Sequence, residues 1–198
     1  IWRMVMEIPT VEAVEANLRN CLLLKADDLY FTLRETDGEA LRNAFLGVDV
    51  EGLADENLSE EEIASIDLQR FAITGRMHKL RSMLDDRRLS LGRADHVEIE
   101  DVRNEALDYL EHFLSTLPNV ALGGVDLTGA RNGEVRRFYE LSYAWSNLIE
   151  TIEDSFYGET DSALAVTDLA LLTTLDLRSL RNRCGPGKLI RTSVTRSP

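Results

Sequence analysis

The three histidines of the chain are the first residues to test for metal or acid–base chemistry, and their spacing does not match a metal site. A di-iron helical bundle requires a glutamate three residues before a histidine on each of two helices. The residues three before His78, His96 and His112 are instead glycine, arginine and tyrosine. His112 follows Asp108 by one helical turn, so we expect a structural contact between their side chains.

Motifs for nucleophilic or phosphate chemistry are also missing from the sequence. It contains no serine elbow, no phosphate-binding loop and no dinucleotide-binding glycine pattern. The segment 185–188, Gly-Pro-Gly-Lys, lacks the required spacing and the Ser or Thr that should follow the lysine. Eight acids and no base lie between Asp49 and Asp67, but without the alternating register of a calcium loop. We therefore expect no catalytic residue, no metal and no cofactor.

Arg70 is the exception in an otherwise apolar pattern. It lies between Ile66 and Ile73, where the spacing predicts an inward-facing residue. A buried arginine needs a carboxylate partner or a bound anion, because an unpaired buried charge is very costly. We expect a buried ion pair, with an anion site as the alternative. An enzyme that works through Arg70 and neighbouring carboxylates is a further alternative.

Candidate partner-binding residues fall into two groups. The first group is aromatic: in the predicted fourth helix Phe138 and Trp145 share the apolar stripe, whereas tyrosines lie on the flank of the helix and near its end. The second group is basic: residues 178–198 carry six bases and no acid, which leaves the first 177 residues with a net charge of −19. A fifth helix packed over the tyrosines, and a solvated tail, are the structural alternatives. The candidate contact residues are Tyr139, Tyr143, Tyr157, Arg183, Lys188, Arg191 and Arg196.

The elements that must position these residues are helices. Apolar residues from Ser59 to Leu91 recur three or four apart, which predicts one helix about 50 Å long. Its start is marked by a capping box, in which the Ser59 hydroxyl and the Glu62 carboxylate satisfy each other's backbone N–H groups. Similar patterns predict helices from about Thr10 to Glu35, Glu39 to Leu46 after a turn at Asp37-Gly38, Asp95 to Pro118, Glu134 to Tyr157, and Thr160 or Asp161 to Asn182.

These elements predict an all-α fold. We expect an antiparallel bundle of four long helices plus a fifth C-terminal helix that is buried on several sides over 163–172. One domain would cover residues 1–184, with an extended basic tail over 185–198. No apolar run approaches the ~18 residues of a membrane span. Cys21 and Cys184 are expected to be unpaired thiols, with a disulfide between them as the alternative.

Function follows mainly from composition and from the missing motifs. A net charge of −13 disfavours nucleic acid as the main partner. We expect a non-catalytic interaction subunit of a larger protein assembly, compatible with peripheral association with a membrane complex. An acidic bundle of this size is similar in general outline to the lumenal extrinsic subunits of photosystem II of the Q type; that likeness is one of architecture, and no motif residue carries it.

The N-terminal residues support one expectation about processing and one alternative function. A chain that begins at Ile1 suggests either a processed mature protein of an organelle lumen or extracytoplasmic space, or a segment excised from a longer chain. The alternative function is a ligand-sensing extracytoplasmic bundle of a membrane receptor, with Ile1-Trp2-Arg3 as the end of a preceding membrane helix. The Gly-Pro-Gly break at 185–187 argues against that alternative, because it interrupts a helix that would otherwise lead to a second span.

Overall fold

The protein is all-α, as the periodicity predicts. The computed structural model describes residues 7–33, 35–52, 54–86, 96–118, 132–157, 164–173 and 175–183, and within these ranges all regular structure is helical. They belong to two compact units, one from Ile8 to Ser142 and the other containing Glu7 and the chain from Tyr143 onward. No helix in the described ranges is long and apolar enough to cross a bilayer.

Two helices, α1 (Val11–Thr32) and α2 (Glu35–Leu46), pack against each other in the first unit. The Thr10 side chain caps α1 by accepting a hydrogen bond from the Ala13 amide. Val14, Leu18, Cys21 and Leu22 lie on one side of α1 and are buried, as helical spacing requires, whereas Leu33 lies beyond the helix and is exposed.

The predicted turn at Asp37-Gly38 is wrong, because both residues lie inside α2 and α1 ends before Leu33. Gly38 serves helix packing instead. A Cβ atom at this position would lie 2.4 Å from the backbone carbonyl oxygen of Tyr30. The glycine therefore allows the two helix backbones to approach closely.

The predicted single helix from Ser59 to Leu91 is also wrong. The chain forms α3 (Ala54–Asn57), α4 (Glu60–Ser65), a 3₁₀ turn (Leu68–Arg70) and α5 (Ala72–Asp86). The predicted capping box between Ser59 and Glu62 is present. The helix stops at Ile66, where the Asp67 carboxylate accepts the Gln69 amide and so competes with helical hydrogen bonding. Ile66 and Leu68 are still buried, so the apolar pattern persists without a continuous helix.

Two long helices complete the described part of the first unit. They are α6 (His96–Ser115), which packs on α5, and α7 (Glu134–Tyr157), whose bounds match the prediction. The side-chain oxygen of Asn17 on α1 accepts the Val135 amide over 2.9 Å and thereby caps the first turn of α7. α7 continues into the second unit.

The second unit contains α8 (Val166–Thr173) and α9 (Leu177–Arg183), which pack against each other. The single fifth helix that we predicted is therefore wrong. Asp176 starts α9 by accepting the Ser179 amide over 2.8 Å. In α8, Leu172 is buried, whereas Val166, Leu169 and Leu171 are only half-buried, so the expected burial on all sides is not found.

Candidate functional site

Among the residues that the structure describes, the buried cations are Arg42 and Arg103, whereas Arg70 is exposed. Arg42 lies on the inward face of α2, where its guanidinium donates to the Gly52 and Val50 carbonyls and, over 3.1 Å, to the Asn43 side chain. It also lies 5.2 Å from the centre of the Tyr30 ring. Arg42 thus binds the loop after α2 to the α1–α2 pair.

Arg103 occupies a comparable place in α6. Its side chain is 1% exposed, lies 4.0 Å from the Glu100 carboxylate and donates over 3.4 Å to the Asn104 side chain. The sequence offered a signal for this residue, because Ile99, Arg103, Ala106 and Leu110 are spaced along one helical face. The same test that selected Arg70 would have selected Arg103.

The expectation of a buried Arg70 is corrected by the structure. Arg70 is exposed, and its guanidinium donates over 2.8 Å to the Ala44 carbonyl, at the C-terminal end of α2. A cation at this end is favourable because the helix dipole is negative there. The prediction failed because it assumed a continuous helix through position 70, whereas the break at Ile66 turns the arginine away from the core.

A shallow recess in the first unit brings a histidine close to a carboxylate. It lies between α1, α5 and α7, with an apolar floor of Val14, Met77 and Phe138. At its edge, His78 Nε2 is 3.5 Å from the Glu15 carboxylate, and both side chains are partly exposed. Among the described residues that line the recess, none is a serine, threonine or cysteine that could act as a nucleophile.

Arg81 closes the other side of this recess. Its guanidinium donates over 2.9 Å to the Asp85 carboxylate and also to the Pro9 carbonyl. Arg81 therefore holds the start of α1 against α5. The recess is largely open to solvent, and its enclosed volume is only about 20 Å³.

The titratable groups with displaced pKa values have structural explanations. Burial raises the pKa of the Cys21 thiol to about 12 and lowers the pKa of the Lys25 ammonium. Hydrogen bonds from Ser59 lower the pKa of Glu62, and those from Ser179 lower the pKa of Asp176, because they stabilise the ionised carboxylates. Within the described ranges, no three ligand-type side chains converge on a possible metal position.

The predicted partner-binding residues are only partly visible. Tyr143 is 47% exposed and Tyr139 is half-buried, while Trp145 and Phe138 are buried as expected. The side chains of Tyr157 and Arg183 lie outside what the structure describes, as do Cys184, Lys188, Arg191 and Arg196 with the whole 185–198 tail.

Exposed apolar side chains are concentrated where the sequence analysis did not place them. Phe31 and Leu33, at the end of α1, are 49% and 46% exposed, and Leu41 on α2 is 43% exposed. The buried residues of α2 include Gly38, Arg42 and Leu46, which define its inward face. Its outer face, defined as the exposed residues Asp37, Ala40, Leu41 and Ala44, lies opposite and carries a single charge.

Comparison with known proteins adds no relative: no family model, no curated protein and no solved structure matches this chain. The geometry of its own residues therefore has to carry any statement about function.

Proposed function

We propose that this chain is a non-catalytic interaction subunit of a larger protein assembly and that it acts by binding other proteins. The observation that carries the proposal is the exposure of Phe31, Leu33 and Leu41, three large apolar side chains of the α1–α2 pair. Single exposed apolar residues are common, but several on one pair of helices favour a protein contact, since each loses its water-exposed area on binding.

The charged groups support the same function. Arg42 and Arg81 each donate to a backbone carbonyl as well as to a neighbouring side chain, and Arg76 pairs with the Glu105 carboxylate through both of its terminal nitrogens. These contacts join segments of the fold to one another, so the three guanidinium groups already have structural partners. The overall charge of −13 favours protein partners over nucleic acid.

The test is native mass spectrometry of the chain purified gently from its source. Discrete higher masses that contain other proteins are expected. The double variant Phe31→Ser/Leu33→Ser should lose these masses while its helical circular dichroism is retained, and Leu177→Ser, which alters a leucine of 39% exposure on α9, should keep them. A bare monomer in the wild-type spectrum would contradict the proposal.

A ligand-sensing bundle is the second candidate, and the recess at His78 and Arg81 is the observation that favours it. Its enclosed volume of about 20 Å³ is far below the ~300 to 1,000 Å³ of ordinary small-molecule sites, which places this candidate second. A small extra mass on a monomer in the native spectrum would reverse the order. The antiparallel four-helix arrangement and its likeness to photosystem subunits stay predictions.

A further inference from the structure

The chain contains a single Asn-Gly pair, at Asn132 and Gly133. Asparagine is one of the chemically labile residues of proteins. A glycine has no Cβ atom, so its backbone nitrogen can reach the side-chain carbonyl of the preceding asparagine with little steric hindrance. This pair is therefore the position in the chain at which backbone attack on an asparagine meets least hindrance.

The structure places this pair outside the helices and in contact with water. Asn132 is exposed in a turn, and α7 begins two residues later, at Glu134. The Gly133 carbonyl accepts the Arg137 amide over 3.1 Å, so Gly133 is the last residue before the helix. The peptide bond between Asn132 and Gly133 thus precedes the regular hydrogen bonding of α7, and it can react while the helix stays intact.

We propose that Asn132 is a site of spontaneous covalent modification, at which the side-chain amide is converted to a carboxyl group. The Gly133 backbone nitrogen attacks the Asn132 Cγ atom, a new C–N bond closes a succinimide ring, and the Cγ–NH₂ bond breaks. Ammonia leaves and carries away the Gly133 amide proton. Water then opens the ring at either carbonyl carbon, which yields aspartate or isoaspartate. Water is the co-reactant, and the reaction transfers no electrons.

The two products have different effects on the start of α7. Both add one negative charge to a chain of net charge −13, at a helix N-terminus where the dipole favours an anion. Isoaspartate also routes the main chain through the former side chain, which inserts a methylene group before Gly133. Two residues further on, the Val135 amide donates to the Asn17 side chain over 2.9 Å. The isoaspartyl product therefore displaces the backbone beside the contact by which α1 caps α7.

A second acceptor–glycine pair, Asp37-Gly38, provides a comparison within the same chain. Asp37 is also exposed and also precedes a glycine, but both residues lie inside α2. Helical dihedral angles and hydrogen bonds restrain the backbone there, and Gly38 is packed closely against the Tyr30 carbonyl. The variant Asp37→Asn therefore places a second exposed Asn-Gly pair in a helix, where ring closure requires local unfolding.

The experiment incubates the folded full chain at mildly alkaline pH and follows it by peptide mass spectrometry. The peptide that contains Asn132 should gain the mass difference between an amide and a carboxylic acid. An enzyme that methylates isoaspartyl carboxyl groups with S-adenosylmethionine should label this peptide, because ring opening gives isoaspartate, whereas direct hydrolysis of the amide gives aspartate alone. Asn132→Gln should stay unmodified at this position, because its longer side chain must close a larger and less favourable ring.

Variants separate the contribution of the fold from that of the dipeptide. In folded Asp37→Asn, the pair in α2 should react at least about tenfold more slowly than Asn132, because α2 must first open. In urea the two pairs should react at similar rates. Gly133→Ala should slow the modification of Asn132 roughly tenfold, because a Cβ atom hinders the attacking nitrogen. Circular dichroism would verify that all variants are folded.

The isoaspartyl form, separated by chromatography, should unfold at a lower temperature than the unmodified chain. Asn132→Asp is its control, since it has the same added charge with a normal backbone, and its unfolding temperature should not fall. An isoaspartyl form as stable as the unmodified chain would refute the effect on the α7 cap.

Three results would overturn the modification site itself: an unchanged Asn132 peptide after incubation, aspartate without isoaspartate, or equal rates for the two pairs in folded Asp37→Asn. The measurement uses the isolated chain, so its outcome is independent of whether the chain binds other proteins.

Discussion

The ammonium group of Lys25 donates a hydrogen bond to the Thr116 hydroxyl over 2.6 Å and a second one to the Thr116 carbonyl over 3.3 Å. It also lies 5.0 Å from the centre of the Phe113 ring. Lys25 thereby joins α1 to the C-terminal end of α6, where the helix dipole favours a cation. One side chain makes three kinds of contact between helices far apart in sequence.

Replacing this lysine should weaken the fold. Lys25→Met keeps much of the apolar stem but removes the charge and both hydrogen bonds, so we expect a loss of roughly 1 to 2 kcal/mol in the free energy of unfolding. Urea denaturation followed by circular dichroism would measure it. Lys79→Met, at an exposed position of α5, is the control and should stay within about 0.5 kcal/mol of wild type. Equal effects of the two changes would contradict a special role for Lys25.

The thiol of Cys21 should make stability fall at alkaline pH. Burial raises its pKa from 9.0 to about 12, so between these values the unfolded chain releases the thiol proton and the folded chain retains it. The free energy of unfolding should therefore drop above pH 9, by up to about 1.4 kcal/mol per pH unit. Comparing urea unfolding at pH 8 and pH 10.5 in wild type and Cys21→Ala isolates this effect, because other groups contribute alike to both proteins.

Cys184→Ser serves as the background for that comparison, so that Cys21 is the only thiol present. In the same background, native protein at pH 8 should react with a thiol reagent far more slowly than urea-unfolded protein, since the thiolate is the reactive form. An equally steep alkaline loss of stability in Cys21→Ala would show that the thiol is not its cause.

Two glycines should respond in opposite directions to the same substitution. A Cβ at Gly38 meets the Tyr30 carbonyl oxygen at 2.4 Å, so Gly38→Ala must push α1 and α2 apart, and we expect a loss of at least about 2 kcal/mol. A Cβ at Gly75 on α5 has nothing within 4 Å, so Gly75→Ala should stabilise by roughly 0.5 to 1 kcal/mol. Thermal unfolding of both variants tests the pair, and a stabilising Gly38→Ala would refute the close packing.

Replacing the two arginines that contact α2, Arg42 and Arg70, should lower the free energy of unfolding by different amounts. Arg42→Met leaves the Val50 and Gly52 carbonyls without their buried donor, and we expect it to cost about 3 kcal/mol or more. Arg70→Met removes one exposed hydrogen bond to Ala44 and should cost less than about 1 kcal/mol. Urea midpoints for both variants measure the contrast. A larger loss of stability in Arg70→Met than in Arg42→Met would support the buried ion pair that the sequence predicts for Arg70.

Local features of the sequence were sufficient for several elements. Thr10 and Ser59 cap the helices that follow them, and the start and end of α7 coincide with those predicted. The buried stripe of α5, from Ile73 to Leu84, also follows from helical spacing. These features succeed because capping and periodicity act between residues only a few positions apart.

The predictions from sequence were wrong where one local pattern is compatible with two different structures. The apolar spacing continues through Ile66 whether or not the chain stays helical, and Asp67 decides the matter by binding the Gln69 amide. Gly38 resembles a turn residue in sequence but serves helix contact, because its effect depends on Tyr30 from another helix. No single-sequence pattern carries that information.

The sequence by itself thus determined an all-α protein, its main helix starts and the faces that become core. The tertiary structure decided that Arg42 and Arg103 are buried, that Arg70 is exposed, and that the outer face of α2 stays uncovered with Leu41 on it. The physical reason is range: hydrogen bonds and spacing along one helix are set locally, whereas burial depends on which helices pack together and leave a face to water.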